Sequence, residues 1–215
     1  SPKEYQSGDF KTSSVAKESS VQKGTLSLNY GAGEIELAST GEELMKMRTN
    51  VPDLTTYDYS LRDDETEAVI ELNRKSEIGG NFDNASCYLD LNKDIPWDID
   101  LNLGASKGEI DLSDLDVKKL VLSVGAAHLD VALGSNATGK SEVEIESGAS
   151  NLNFAIPKEA GLKIQLESAL VTHNIDDIGL QKQDDYYISS DYENKSVQYN
   201  FDVEMGLGNL NFRME

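Results

Sequence analysis

WDIDLNLGAS (residues 97–106), KLVLSVGAAHLDVAL (119–133) and EVEIESGASNLNFAI (142–156) repeat one pattern, apolar residues alternating with polar ones and then a small-residue corner. The corners are Gly104, Gly125 and Gly148, spaced 21 and 23 residues apart, the length of one coil in a repeat array. Five, three and one positions before each glycine stand Ile99, Leu101, Leu103, then Leu120, Leu122, Val124, then Val143, Ile145, Ser147. Side chains alternate across a strand, so these residues share one face, while Asp98, Asp100, Asn102, Val121, Ser123, Glu142, Glu144 and Glu146 look outward. After the corner the alternation resumes through Leu129, Val131, Leu133 and through Leu152, Phe154, Ile156. In the Gly104 copy the apolar pair comes at Ile110 and Leu112, which reads as a two-residue insertion, Lys107-Gly108.

A strand-corner-strand unit cannot bury its own apolar face, and stacking on the next copy removes that face from water. Each fully buried Leu, Ile or Val contributes roughly 1.5–3 kcal/mol, enough for an added coil to offset the entropy of ordering it. The Gly-Ala corner suits a tight bend if glycine takes a positive φ and alanine leaves room for the neighbouring coil. The reading is all-β: a single-stranded β-helix or solenoid-like stack of short strands with Gly-Ala corners.

Two further copies lie outside the central three, TLSLNYGAGEIEL (25–37) around Gly31 and FDVEMGLGNLNF (201–212) around Gly206. They stand 73 and 58 residues from their neighbours, which predicts an array interrupted by longer segments or degenerate coils. The expected organisation is a linker or edge strand over 1–24 and one domain over 25–215 with an insertion near 176–196. GEELMKMR (41–48) reads as a short helix from the spacing of Leu44 with Met47 or Arg48. Residues 53–72 read as two strands around an Asp63-Asp64 turn, either a hairpin or two coils, and SEIGGNFDNAS reads as a polar loop. Pro157 ends the third copy, and Leu162, Ile164 and Leu166 begin another alternating run. Tyr186, Tyr187 and Tyr192 in the polar stretch after Asp176 are expected to cover an open end of the stack.

Nineteen Lys and Arg against 39 Asp and Glu give a formal charge of −20, which repels phosphate backbones and disfavours nucleic-acid binding. No stretch reaches the roughly 20 apolar residues of a spanning helix. The one cysteine, Cys87, has strand spacing and reads as a buried structural thiol. His128 and His173 lack ligand-spaced partners, so no zinc site is assigned. Ser106 and Ser150 follow Gly-Ala but lack the G-x-S-x-G setting of a nucleophile elbow. The acidic groups Asp63, Asp64, Glu65, then Asp111, Asp114, Asp116, then Asp176, Asp177, Asp184, Asp185 offer oxygen ligands of the kind calcium takes. GGNFDN (79–84) only faintly resembles the calcium-binding nonapeptide repeat and occurs once. Arg48, Arg62, Arg74 and Arg213 are the only arginines, and none falls in the three central coils, which counts against a lyase or hydrolase on a β-helix. No catalytic, cofactor-binding or metal-binding residue is assigned. Trp97 is expected in the core, and Tyr59 is the candidate exposed aromatic for a carbohydrate-binding alternative.

The run from LDLNKDIPWDIDLNLGAS through DLSDLDVKKLVLSVGAAHLDVALG, with the early NYGAGEIEL, resembles the toast-rack domain of bacterial cell-wall-active antibiotic response (LiaF-type) proteins over roughly residues 20–215. The resemblance implies an extracytoplasmic, β-helix-like domain of unknown biochemical activity, on the cell surface or secreted. Some relatives pair it with membrane spans and act in envelope-stress signalling. A lipid-anchored full-length protein would fit the polar N-terminal linker, and a protein or cell-wall polymer is the expected class of partner.

Overall fold

The computed structural model describes residues 10–74, 85–137 and 139–215. Thirteen strands form one sheet: β1 Lys11–Ala16, β2 Lys23–Thr40, β3 Glu43–Thr49, β4 Thr55–Arg62, β5 Glu67–Arg74, β6 Ser86–Asn92, β7 Pro96–Leu112, β8 Asp116–Leu133, β9 Gly139–Ile156, β10 Gly161–His173, β11 Gln181–Gln183, β12 Tyr186–Ile188 and β13 Val197–Met214. The alternating text explains the architecture directly. Each repeat is one strand of 17 or 18 residues running through its corner, with a first leg before the glycine and a second leg after it.

The legs stack in parallel, copy on copy. Leu28, Leu101, Leu122, Ile145, Val203 and Leu166 follow one another across β2, β7, β8, β9, β13 and β10. In the second legs the matching column is Leu37, Ile110, Val131, Phe154 and Phe212. All but the terminal Leu166 are buried. Phe154 lies between Phe201 at 5.1 Å, edge to face, and Phe212 at 5.6 Å, stacked, so aromatic packing ties the two legs together near one end. The fold class read from the repeats is the one observed.

The outlying copies join the same array without a gap. β2 pairs directly with β7, and on its other side β5 lies parallel to its first leg and β6 to its second, with β4 and β3 pairing antiparallel outside them. Of the two readings of residues 53–72, the hairpin holds: Thr55 faces Arg74 and Arg62 faces Glu67. β13 inserts between β9 and β10, so the run beginning at Leu162 forms the outermost coil although it precedes β13 in sequence. Beyond β10, β12 pairs with Lys163–Gln165. Buried Ile175 and the partly buried Ile178, Leu180 and Tyr187 pack against the core at that end, where the tyrosine-bearing segment was expected.

Three local expectations need correction. GEELMKMR is not a helix. It lies mostly in β3, where Met45, Met47 and Thr49 are buried and pair antiparallel with β6. Two free sheet edges, taken up by β1 and β6, outweigh the weak helical spacing of Leu44 and Met47. Nor is Lys107-Gly108 an insertion. Lys107 pairs with His128, Gly108 with Leu129 and Ile110 with Val131, so the register is unbroken and Gly108 stands where other coils carry a large apolar residue. A β-carbon there would come 1.9 Å from the Ile35 carbonyl oxygen, so close backbone approach excludes a side chain. Finally, none of the five corner glycines has a positive φ, which falls two residues later at Gly33 and Gly208. The corner needs glycine because the preceding coil's carbonyl occupies the space a methyl would take: 2.0 Å for Gly104, 2.7 Å for Gly148, 2.6 Å for Gly206.

Candidate functional site

Stacking turns every offset from the corner into a row across the sheet, and the outward rows are the chemistry the protein presents. On the first-leg face, Glu144 is opposite Asp202, and Glu146 is opposite Glu204, which is opposite Glu167. Like charges directly opposite one another on adjacent strands oppose folding. The one cation in contact with this block, among the described residues, is Lys119, whose Nζ lies 3.7 Å from Glu144 Oε1. Both partners of that pair are half exposed, so it does little to offset the repulsion.

The second-leg face differs. Glu109, Asp130, Asn153 and Asn211 form one row, in which Asn211 Nδ2 donates to Asn153 Oδ1 (3.1 Å) and Asn153 Nδ2 donates to Asp130 Oδ1 (2.9 Å). The next row is Asp111, Ala132, Ala155 and Arg213. Two alanines between the charged side chains of Asp111 and Arg213 leave a hollow, and a groove of about 710 Å³ runs over both rows. Its end is closed by Asn174, which follows β10. The Asn174 amide donates to the Phe212 carbonyl (2.7 Å) and its oxygen accepts the Phe212 N–H (2.8 Å), extending the ladder by one side chain. Further along the row, partial burial, then the Glu109 and Glu34 carboxylates, hold Glu36 above the usual carboxylate range. Arg48 opposes that shift and lies over the rings of Tyr88 (4.7 Å) and Phe10 (5.4 Å).

The residues singled out in the sequence scatter. Trp97 is 1% exposed, with its indole N–H donating to the Asn92 carbonyl (2.8 Å), and is core. Tyr59 is half-buried against the core and offers no open platform. Cys87 is buried and free, and burial pushes its thiol up to about 12. His128 is exposed at a corner, while His173 Nδ1 accepts the Ile175 N–H (3.2 Å). Ser150 is buried, accepting from the Ser147 hydroxyl (2.7 Å) and the Ala127 N–H (3.1 Å), so its hydroxyl serves the corner. Ser106 is buried at the matching point of β7. Asp63, Asp64 and Glu65 form the hairpin turn with positive φ, and Asp111 accepts from Ser113 at the next turn. Among the described residues no three His, Cys, Asp or Glu side chains converge as a metal-ligating group. GGNFDN lies outside the described residues.

The sequence matches the family model described as the N-terminal domain of toast_rack, DUF2154, over residues 3–155. The chain belongs to the toast-rack family. No curated protein matches it. A crystal structure of a "putative cell adhesion protein" from Clostridium sporogenes ATCC 15579 superposes on this toast-rack chain with a TM-score of 0.83 and 24% identity, covering 96% of this chain and 99% of that one, which shows a shared fold. A "putative adhesin" from Parabacteroides distasonis ATCC 8503 reaches a TM-score of 0.30 at 9% identity, over 95% of this chain and 96% of that one, too low to bear on the fold. Among the described residues of the toast-rack chain, no helix is long and apolar enough to cross a membrane.

Proposed function

We propose that this toast-rack chain is a non-enzymatic, extracytoplasmic module of the bacterial cell envelope whose first-leg face takes up a cationic partner, a basic protein surface or wall polymer. The observation that carries the reading is the carboxylate block of Glu144, Glu146, Asp202, Glu204 and Glu167, opposed strand to strand with one cation beside it. Such a block costs stability when bare and is relieved by a positive partner, a local conflict of the kind found at functional surfaces. The adhesion description of the Clostridium protein with this fold points the same way. Residues 25–215 act as one domain in this reading, and the segment 1–24 adds the edge strand β1 to its sheet.

The test compares two triple variants of equal charge change. E146Q/E204Q/E167Q neutralises three of the five carboxylates, the whole of one row, and D58N/D64N/E71Q neutralises exposed acids at the hairpin. With a lysine-rich peptide as probe, the first variant should bind several-fold more weakly and lose most of its salt dependence, while the second stays near the parent. Equal losses in both would mean that net charge alone is read, and the reading falls. A second reading, a glycan bound in the groove, is favoured by its amide and carboxylate ladder. A glycan array with N153A/N211A as control tests it.

A further inference from the structure

Among the described residues, one long stretch of the sheet's edge lies open on the outermost coil. β12 pairs with β10 only at Lys163–Gln165, and the chain leaves the strand after His173. Leu166 to His173, paired with β13 on one side, therefore have no strand on their outer side among the described residues. Open edges are normally blunted by charged side chains, lysine above all, by proline or by a bulge, and LESALVTH has no lysine, arginine or proline, its one charged group being Glu167. Each of the other outermost strands carries a cation: Lys11 on β1, Lys182 on β11 and Arg62 on β4. The two large apolar side chains most exposed among the described residues sit here as well. Leu170 is 77% exposed and Leu207 50%, and they are register partners on β10 and β13. Ser168 is exposed too, although its column-mates Met205, Ser147, Val124, Leu103 and Tyr30 are all buried, so the inner corner of the last coil is uncovered.

We infer that this edge joins a second copy of the chain, β10 against β10 of its twin, antiparallel about a two-fold axis through the corner. The argument is one of symmetry. At the corner of each coil two successive residues point outward, and inward positions resume on both sides, as at Gly125 and Ala126 between Val124 and Ala127. In β10 those two are Ala169 and Leu170. A dyad between them sets Ala169 opposite Leu170 of the twin, Ser168 opposite Val171, Glu167 opposite Thr172 and Leu166 opposite His173. Inward residues meet inward ones and outward meet outward, so both cores continue across the join. The open stretch 166–173 is itself symmetric about that point, and it ends where β12 begins on one side and Asn174 turns away on the other. No like charges face each other, since Glu167 is the only acid in the stretch, on a chain of net charge −20. The occupant the edge fits is thus a copy of itself. Eight residues a side make a small interface, so association is concentration-dependent and favours crowding on a surface.

Sedimentation over a concentration series at ionic strengths of about 0.05 and 0.5 M tests this, because screening the −20 charges must favour the dimer. The expected result is a monomer–dimer equilibrium shifted at least several-fold toward dimer at high salt. Leu170→Asp should abolish it; the side chain is exposed, so the variant folds, which circular dichroism verifies. Leu170→Cys should form an intermolecular disulfide on oxidation, and Val121→Cys, on a distant face, should not. A monomer at every concentration, a dimer that survives Leu170→Asp, or assembly beyond two copies would each overturn the inference.

Discussion

Replacing Gly104 by alanine tests the claim that the corners are shaped by stacking and not by backbone handedness. The new methyl would lie 2.0 Å from the Gly31 carbonyl oxygen, against the roughly 3.4 Å or more of ordinary contact, so a backbone carbonyl inside a parallel ladder must move by over 1 Å. Overpacking of this kind costs about 1–3 kcal/mol, and a rigid backbone obstacle belongs at the upper end. For a domain of this size about 3 kcal/mol corresponds to a melting temperature lower by ~6–12 °C. The same substitution at Gly31 meets nothing within 4 Å among the described residues, where β5 flanks the first leg of β2 and β6 its second leg with no described residue over the corner between them. With no positive φ to lose, Gly31→Ala should be neutral or stabilising by about 0.5 kcal/mol, through the entropy of the unfolded chain. The intermediate members follow the distances: Gly206→Ala (2.6 Å) and Gly148→Ala (2.7 Å) below Gly104→Ala, and Gly125→Ala (3.1 Å) mildest of the stacked four. Thermal denaturation of the five variants reads the series. Equal losses at all five, or a loss at Gly31 matching that at Gly104, would refute the reasoning.

Other expectations follow from single contacts. The Arg62 guanidinium, 2.6 Å away, holds buried Glu67 down at about 2, with Thr25 adding a hydrogen bond. A carboxylate depressed in the folded state stabilises above its ordinary value near 4.5, and that contribution is lost as pH falls toward about 2. Glu67→Gln should therefore be less stable than the parent at neutral pH, and urea titrations should show the gap closing between those two values. Cys87, with its thiol pushed up to about 12, should ignore a thiol reagent in the native protein at mildly alkaline pH and react once in denaturant. The Tyr199 hydroxyl donates to the Gly134 carbonyl at 2.5 Å in a buried setting, so Tyr199→Phe should cost about 1–2 kcal/mol by chemical denaturation, with the spectrum of the folded state unchanged.

The period-two text made the stack legible, because an inward face read from spacing alone is the face that is buried. The carboxylate block was legible too in principle: Glu146 and Glu204 each stand two residues before a corner glycine, and Glu167 two before Ala169 in the glycine's place. Asp130, Asn153 and Asn211 share the fifth position after theirs. What spacing could not reveal was spatial order. Sequence order puts β10 next to β9, yet β13 lies between them, so neither the Glu146–Glu204–Glu167 row nor the open edge follows from the chain read forward. Gly108 was misread because a glycine at an inward position mimics a frame shift, and its cause, the Ile35 backbone, lies in a strand 73 residues away in sequence. β3 was misread because Leu44 and Met45 are both buried, which breaks the alternation at its start and leaves a spacing that resembles a helix.

The two outward faces bear on how copies meet. The first legs carry opposed carboxylates, the second legs an amide ladder and the only arginine near the groove, Arg213. A head-to-tail stack would set first leg on first leg and extend the acidic block of one copy toward the acids of the next. A dyad through the corner exchanges the legs, so the acidic face of one copy runs on into the amide face of its twin, and Glu167 is followed by Thr172 where a straight continuation would place another acid. Symmetry and charge thus select the same arrangement. It leaves the carboxylate blocks apart on the two halves, each free to engage a cationic partner, and two weak sites held in one dimer bind a repetitive partner more tightly than either alone.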